Sequence, residues 1–229
     1  MSRTAPLLVL TTLGLLVVAD PALGRPSEHY EKRMAKFAEQ KATLDPARRH
    51  VVLVGDSLTE AWEARDRTTK YLPALADRVL NRGIGGDTTR GLARRLDESI
   101  YSLNPSHIIL NIGVNDLGQE ADVAPAGERF AKLVKEVREK LPAIPLIVVT
   151  VAPCRGKFAP RNPLIVAYDE HVRRAAAATG CTLLDLHALV VDEKGELPEA
   201  LAVPDGIHWS DAMYERLGRE LEKLVGEAK

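Results

Sequence analysis

Apolar residues recur along this chain in two rhythms. Short continuous runs at 51–54, around 79–82, at 107–112, 146–151 and 182–185 are rich in branched side chains and do not alternate with polar ones. That is the pattern of strands covered on both faces, as in a parallel sheet. Between these runs apolar residues return every three or four positions, the spacing of amphipathic helices. Segment 27–44 carries Tyr30, Met34 and Phe37, and Leu92, Leu96 and Ile100 mark one helix capped by Asp87, with arginines on its other faces. A helix starts at 58–64, another turns Phe130, Leu133, Val134 and Val137 inward over 124–141, and an alanine-rich one spans 164–179 and stops at Gly180. The last, capped by Ser210 or Asp211, bears Met213, Leu217, Leu221 and Leu224. Five strands alternating with helices predict an α/β fold, a three-layer sandwich around a five-stranded parallel sheet.

The first 24 residues stand apart. Arg3 precedes an uncharged apolar run from Leu7 to Ala19, followed by Ala22-Leu23-Gly24. This is the layout of a secretory signal peptide with small residues at the cleavage position, and the run is shorter than the roughly 20 residues a spanning helix needs. Residues 25–229 are therefore expected to form a single domain, with the helix at about 27–44 at its start, in an exported protein that is periplasmic or extracellular. The alternative is an uncleaved signal anchor that tethers the domain to a membrane.

No Gly/Ser-rich or Pro-rich tract divides the 229 residues, and a 45% hydrophobic content suffices for a core. A formal charge of -1 and only 4% aromatic residues give no argument for a nucleic-acid partner. The two cysteines, Cys154 and Cys181, follow the end of one strand and open the next parallel one. They are expected at opposite edges of the sheet, beyond disulfide reach, even in an oxidising compartment.

Open α/β sheets bind ligands beyond the C-terminal ends of their strands. Four segments are expected at that rim. Ser57 follows the first strand, where Asp56-Ser57 reads equally as a helix cap or as a nucleophile at a helix start. Asp205 precedes His208 by three residues, so one turn can bring a carboxylate to the far nitrogen of a basic imidazole. Gly86 can offer a backbone N–H to an oxyanion or be part of an ordinary glycine turn, and Asn115 can offer its side-chain amide or bond its own turn. A nucleophile, a base, a group that holds the base, and donors for developing negative charge are the requirements of acyl transfer.

Among the six histidines, His29 and His171 fall on solvated helices and His50 and His107 open strands. His187 is the rival base, with Asp185 nearby but without a turn to free it. Arg155, Lys157 and Arg161 lie in a rim loop that either meets an anionic substrate or is simply solvated.

Gly55-Asp56-Ser57-Leu58, the junction Gly86-Asp87, Gly113-Val114-Asn115-Asp116 and Asp205-Gly206-Ile207-His208 occur in this order. Together they resemble the blocks of the SGNH hydrolase (GDSL esterase/lipase) superfamily. The run from Gly83 to Thr89 is similar to that of small bacterial esterases of the platelet-activating-factor acetylhydrolase catalytic-subunit type. The resemblance covers essentially the whole chain after residue 24. It implies a flavodoxin-like sheet, Ser57 as nucleophile, His208 as base, Asp205 as its partner, an oxyanion hole from Ser57, Gly86 and Asn115, and no metal or cofactor. Trp209 stands where a smaller aliphatic residue is often found, and is expected to shape the acyl pocket; Asp56 is the other substrate-binding candidate.

The expected activity is hydrolysis of short-chain acyl or O-acetyl esters borne by a small molecule or an extracellular glycan, with no stable membrane span after signal cleavage and the oligomeric state left open. A thioesterase or lysophospholipase on the same site, and an acyltransferase to a sugar hydroxyl, are the alternatives. A non-catalytic glycan-binding module fits the motif set least.

Overall fold

The computed structural model describes residues 27–120 and 122–227; the signal peptide expected at 1–24 lies outside them. Five strands, β1 (His50–Gly55), β2 (Val79–Gly83), β3 (Pro105–Asn111), β4 (Leu146–Val149) and β5 (Thr182–Leu184), pair in the order β2-β1-β3-β4-β5. Every pairing is parallel. This is the flavodoxin-like doubly wound order, whose winding reverses between β1 and β3, and sheets of this kind bind ligands beyond the C-terminal ends of their strands.

The crossovers between parallel strands carry helices over the sheet, and these pack against one another. Ala124–Lys140 packs against Asn162–Thr179, and the closing helix Asp211–Glu227 packs against Arg67–Tyr71 from the β1–β2 connection. Central strand β1 is buried along its whole length, which is why its sequence shows no polar alternation. Phe130, Leu133, Val134 and Val137 are buried on one stripe of their helix, and Gly180 ends the next helix in the left-handed conformation at φ 65. Cys154 and Cys181 are both free, and burial pushes the Cys154 thiol up to about 11. Among the described residues no helix is long and apolar enough to cross a membrane.

Two expected helices are shorter than their apolar spacing suggests. After β1 the helix covers only Ser57–Glu60, and the following 3-10 segment Ala61–Asp66 is interrupted at Ala64 and Arg65. The Leu92–Leu96–Ile100 stripe is divided between Thr89–Ala93 and Leu96–Ser99, because Arg95 leaves helical geometry at φ -122, ψ 19. Arg95 is not on a solvated face. It is buried, donating to Asp87 Oδ2 at 2.8 Å, the Arg82 carbonyl at 2.8 Å, the Gly55 carbonyl at 3.0 Å and Ser99 Oγ at 2.8 Å. Asp87 is therefore an ion-pair partner, and the helix cap is Thr88, whose side chain accepts from the Gly91 N–H.

Asp56 caps the helix after β1 by accepting the Leu58 N–H at 2.9 Å. Its carboxyl is buried beneath the rim rather than facing a cleft, so it is not a substrate-binding residue. Burial, with repulsion from Asp87 and Asp116 added, pushes it up to about 7. In the unfolded chain an aspartate ionises at about 4. The unfolded state therefore loses this proton first, and stability falls as pH rises from about 4 to about 7, by a few kcal/mol at most. Asp56→Asn keeps an acceptor for Leu58 and removes the titration. Urea unfolding at pH 5 and pH 8 should show the variant gaining stability relative to the wild type at the higher pH. A difference between the two proteins that does not change with pH would contradict this.

Candidate active site

At the end of β1 the chain turns sharply through Asp56, so that Ser57 becomes the first residue of a helix. Ser57 Oγ lies 3.0 Å from His208 Nε2, and His208 Nδ1 lies 2.7 Å from Asp205 Oδ2. The other carboxylate oxygen, Oδ1, accepts the N–H groups of Ile207 at 2.8 Å and His208 at 2.9 Å. Burial works to raise the Asp205 pKa, but these two N–H groups and the imidazole outweigh it and hold the carboxyl below its ordinary range. An ionised carboxylate can only accept, so it fixes the proton on Nδ1 and leaves Nε2 able to take one from the serine.

The loop carrying this pair needs a glycine. Gly206 has φ +85, and a Cβ there would collide with the Arg155 carbonyl. Arg155 in turn donates its N–H to the Gly206 carbonyl at 2.8 Å, pinning the loop to the segment after β4.

The second group of candidate donors comes from the ends of β2 and β3. Ile84 to Asp87 close a turn through an Asp87 N–H to Ile84 carbonyl bond of 3.1 Å, with Gly86 at φ +80. A positive φ at the third residue alone is the mark of a type II turn, which glycine adopts without strain. Asn115 does not bond its own turn. Its amide donates to the Asp87 carbonyl at 2.8 Å, which leaves the second N–H of the same nitrogen and joins the Gly86 and Asn115 segments. The turn is also fastened to β1, since the Ile84 N–H donates to the Gly55 carbonyl at 3.1 Å.

A cleft of about 530 Å³ opens at Ser57 and His208, lined also by His29, Glu60, Ala61, Glu63, Ala64 and Gly85; Asp205, Gly86 and Asn115 are not among its lining residues. Trp209 takes no part in it. It is buried beside Tyr214, with ring centroids 5.5 Å apart, so it shapes the core and not an acyl pocket. His187 is also elsewhere: its Nδ1 lies 3.1 Å from Asp169 Oδ2 and 3.2 Å from the Val151 carbonyl, while Asp185 caps the helix Leu186–Val190 and binds Arg173. Arg155 pairs with Glu199, and Lys157 and Arg161 lie over the Phe158 ring; none lines the cleft.

Two cleft residues are new to the picture. Glu60 follows Ser57 by three positions and so shares its helix face, a signal present in the sequence. His29, on a helix expected to be solvated and only structural, reaches Glu60 Oε2 at 2.9 Å through tertiary packing that no local pattern foretells. Among the described residues no group of three His, Cys, Asp or Glu side chains is arranged to hold a metal ion.

The sequence model of the GDSL-like lipase/acylhydrolase family matches residues 53–216. An acetylxylan esterase of Geobacillus stearothermophilus is 25% identical over 205 residues, covering 77% of this chain and 93% of that protein. The platelet-activating factor acetylhydrolase IB subunit alpha2 of Rattus norvegicus is 23% identical over 177 residues, covering 76% of this chain and 75% of its own. In three dimensions a GDSL-like lipase from Bacteroides thetaiotaomicron superposes with a TM-score of 0.73 over 86% of this chain and 98% of its own, at 19% identity, a likeness of fold. The family match spans well over half of the sequence, and the chain belongs to the GDSL-like lipase/acylhydrolase family, as a hydrolase of ester bonds.

Proposed function

We propose that this esterase cleaves short-chain acyl esters, acetyl esters above all, through a covalent intermediate on Ser57. The observation that carries the proposal is the unbroken line of short contacts from Ser57 Oγ through His208 to Asp205, at 3.0 and 2.7 Å. Ser57 Oγ attacks the ester carbonyl carbon while His208 Nε2 takes its proton. The carbonyl electrons move onto oxygen, where the N–H groups of Ser57 and Gly86 and the Asn115 amide receive them. The bond to the alcohol then breaks as His208 returns the proton to the departing oxygen. Water enters, gives its proton to the same nitrogen, attacks the acyl carbon, and Ser57 recovers its hydrogen as the acid leaves. Asp205 remains an anion throughout, holding the tautomer and stabilising the imidazolium.

The cleft walls favour a small acyl group on a hydroxyl-rich alcohol. Its lining offers carboxylates, imidazoles and two alanines, with no long apolar side chain against which a fatty chain could pack. The acetylxylan esterase relative supports the same substrate class. The layout of residues 1–24 adds a location outside the cytoplasm, where O-acetylated glycans would be met.

Ser57→Ala should abolish turnover of nitrophenyl acetate, and Asn115→Ala should lower kcat by about 10² to 10³ while still unfolding cooperatively. Turnover at the wild-type rate in either purified variant would refute the assignment. Along a nitrophenyl ester series, kcat/KM should fall by about tenfold or more from acetate to octanoate, and acetylated xylo-oligosaccharides should be deacetylated. A preference for octanoate would instead assign the site to long-chain lipids.

A further inference from the structure

We propose that Glu60, held by His29 of the N-terminal helix Glu28–Thr43, is a positioning residue that aims the Gly86 N–H at the reacting oxygen. This rests on the assignment of Gly86 as an oxyanion donor. The Gly86 N–H belongs to the central peptide of the Ile84–Asp87 turn, and both residues flanking that peptide are glycines. In a turn of this kind the central peptide can rotate to the type I arrangement, which points the N–H the opposite way, and two glycines offer the least resistance to that rotation. A useful donor there must be held from outside the turn.

The structure holds it from both sides. Past the turn, Asn115 grips the Asp87 carbonyl at 2.8 Å. Before it, Glu60 Oε2 accepts the Gly85 N–H at 2.6 Å, and Arg33 donates to the Gly83 carbonyl through Nε at 3.0 Å and Nη2 at 2.8 Å. Glu60 ends the helix that Ser57 begins, so its carboxylate ties the nucleophile's helix to the donor's turn. His29 Nε2 lies 2.9 Å from that same Oε2, and Arg33 Nε lies 3.7 Å from Oε1. Arg33 and Lys36 also bind Glu63 at 2.8 and 2.6 Å, which seats the helix along the cleft edge. An ordinary exposed side-chain contact would join two side chains. This one reaches a backbone N–H inside the turn that carries the donor. The helix supplying His29 and Arg33 lies before residue 53, outside the segment matched by the family.

The test is steady-state hydrolysis of nitrophenyl acetate by the full chain carrying Glu60→Ala, Glu60→Gln or His29→Ala, beside Ser57→Ala. Glu60→Ala should lower kcat by about 10- to 100-fold with KM within about twofold, because a displaced donor costs the transition state and not the bound ester. Glu60→Gln keeps a carbonyl oxygen for the Gly85 N–H and should recover kcat to within about threefold, and His29→Ala should lose about threefold or more. Affinity for a boronic acid, which forms a tetrahedral adduct on the serine, should fall in parallel with kcat. Equal losses in the Ala and Gln variants, or a raised KM at unchanged kcat, would overturn the proposal. Should Glu60→Ala fail to fold, His29→Ala decides, since that side chain is 51% exposed and an unchanged kcat there refutes the brace. Activity retained by Ser57→Ala would instead show that the assignment of the site itself is at fault.

Discussion

A buried ion pair between Arg95 and Asp87, 2.7 Å apart, fastens together the pieces of chain that make the rim. The guanidinium also takes the carbonyl of Gly55, where β1 ends just before Ser57, and that of Arg82, near the end of β2. The backbone carbonyl of Asp87 receives the Asn115 amide from beyond β3. One charged pair thereby sets the relative places of the serine turn, the glycine turn and the asparagine. Buried ion pairs of this kind contribute little net stability, because desolvation offsets their attraction; what this one does is tie three segments of backbone together. Here that arrangement places the Ser57 turn, the Gly86 turn and Asn115 side by side at the rim.

The same region concentrates negative charge. Asp87 faces Arg95 and Asp116 faces Arg129 at 3.1 Å, while Asp116 also accepts the Thr89 N–H at 2.9 Å and its hydroxyl at 2.6 Å. Burial raises the Asp87 carboxyl and pushes that of Asp56 up to about 7, repulsion from Asp87 and Asp116 adding to the shift at Asp56. The carboxylate of Asp205, on the exposed side, is kept anionic by backbone donors and the imidazole. Environment thus separates aspartates that look alike in the sequence: one holds the His208 imidazole, and the others hold the backbone.

Strand positions and their parallel sense were legible because burial on both faces leaves a continuous apolar run, and because helices between strands force a parallel sheet; the flavodoxin-like order came only from the family resemblance. The segment after β2 was misread for a related reason. Leu92, Leu96 and Ile100 are all buried and do recur every four residues, yet the helix breaks between them. Periodicity reports which side chains go inward, and Arg95 goes inward too, toward carbonyls of residues up to 40 positions away. Ser57, Asp205 and His208 were legible as local motifs, and Asp205 and His208 share one turn. Trp209 and Asp56 sit next to those motifs in sequence but point into the core, since neighbouring residues at a turn take different directions. His29 was beyond local reading, because its place at the cleft is created by Arg33 and Lys36 gripping Glu63 about thirty residues away.

The proposed chemistry needs a hydroxyl, an imidazole and three N–H donors to meet around a single carbonyl. A crystal structure of the chain inactivated by a methylphosphonate ester tests it most directly, because the phosphonyl oxygen stands where the oxyanion would form. The expected result is phosphorus bonded to Ser57 Oγ, with that oxygen within about 3 Å of the Ser57 and Gly86 nitrogens and the Asn115 amide, and His208 still against Asp205. Phosphorus on another residue, or a phosphonyl oxygen turned to solvent with the Gly86 N–H pointing away, would contradict it.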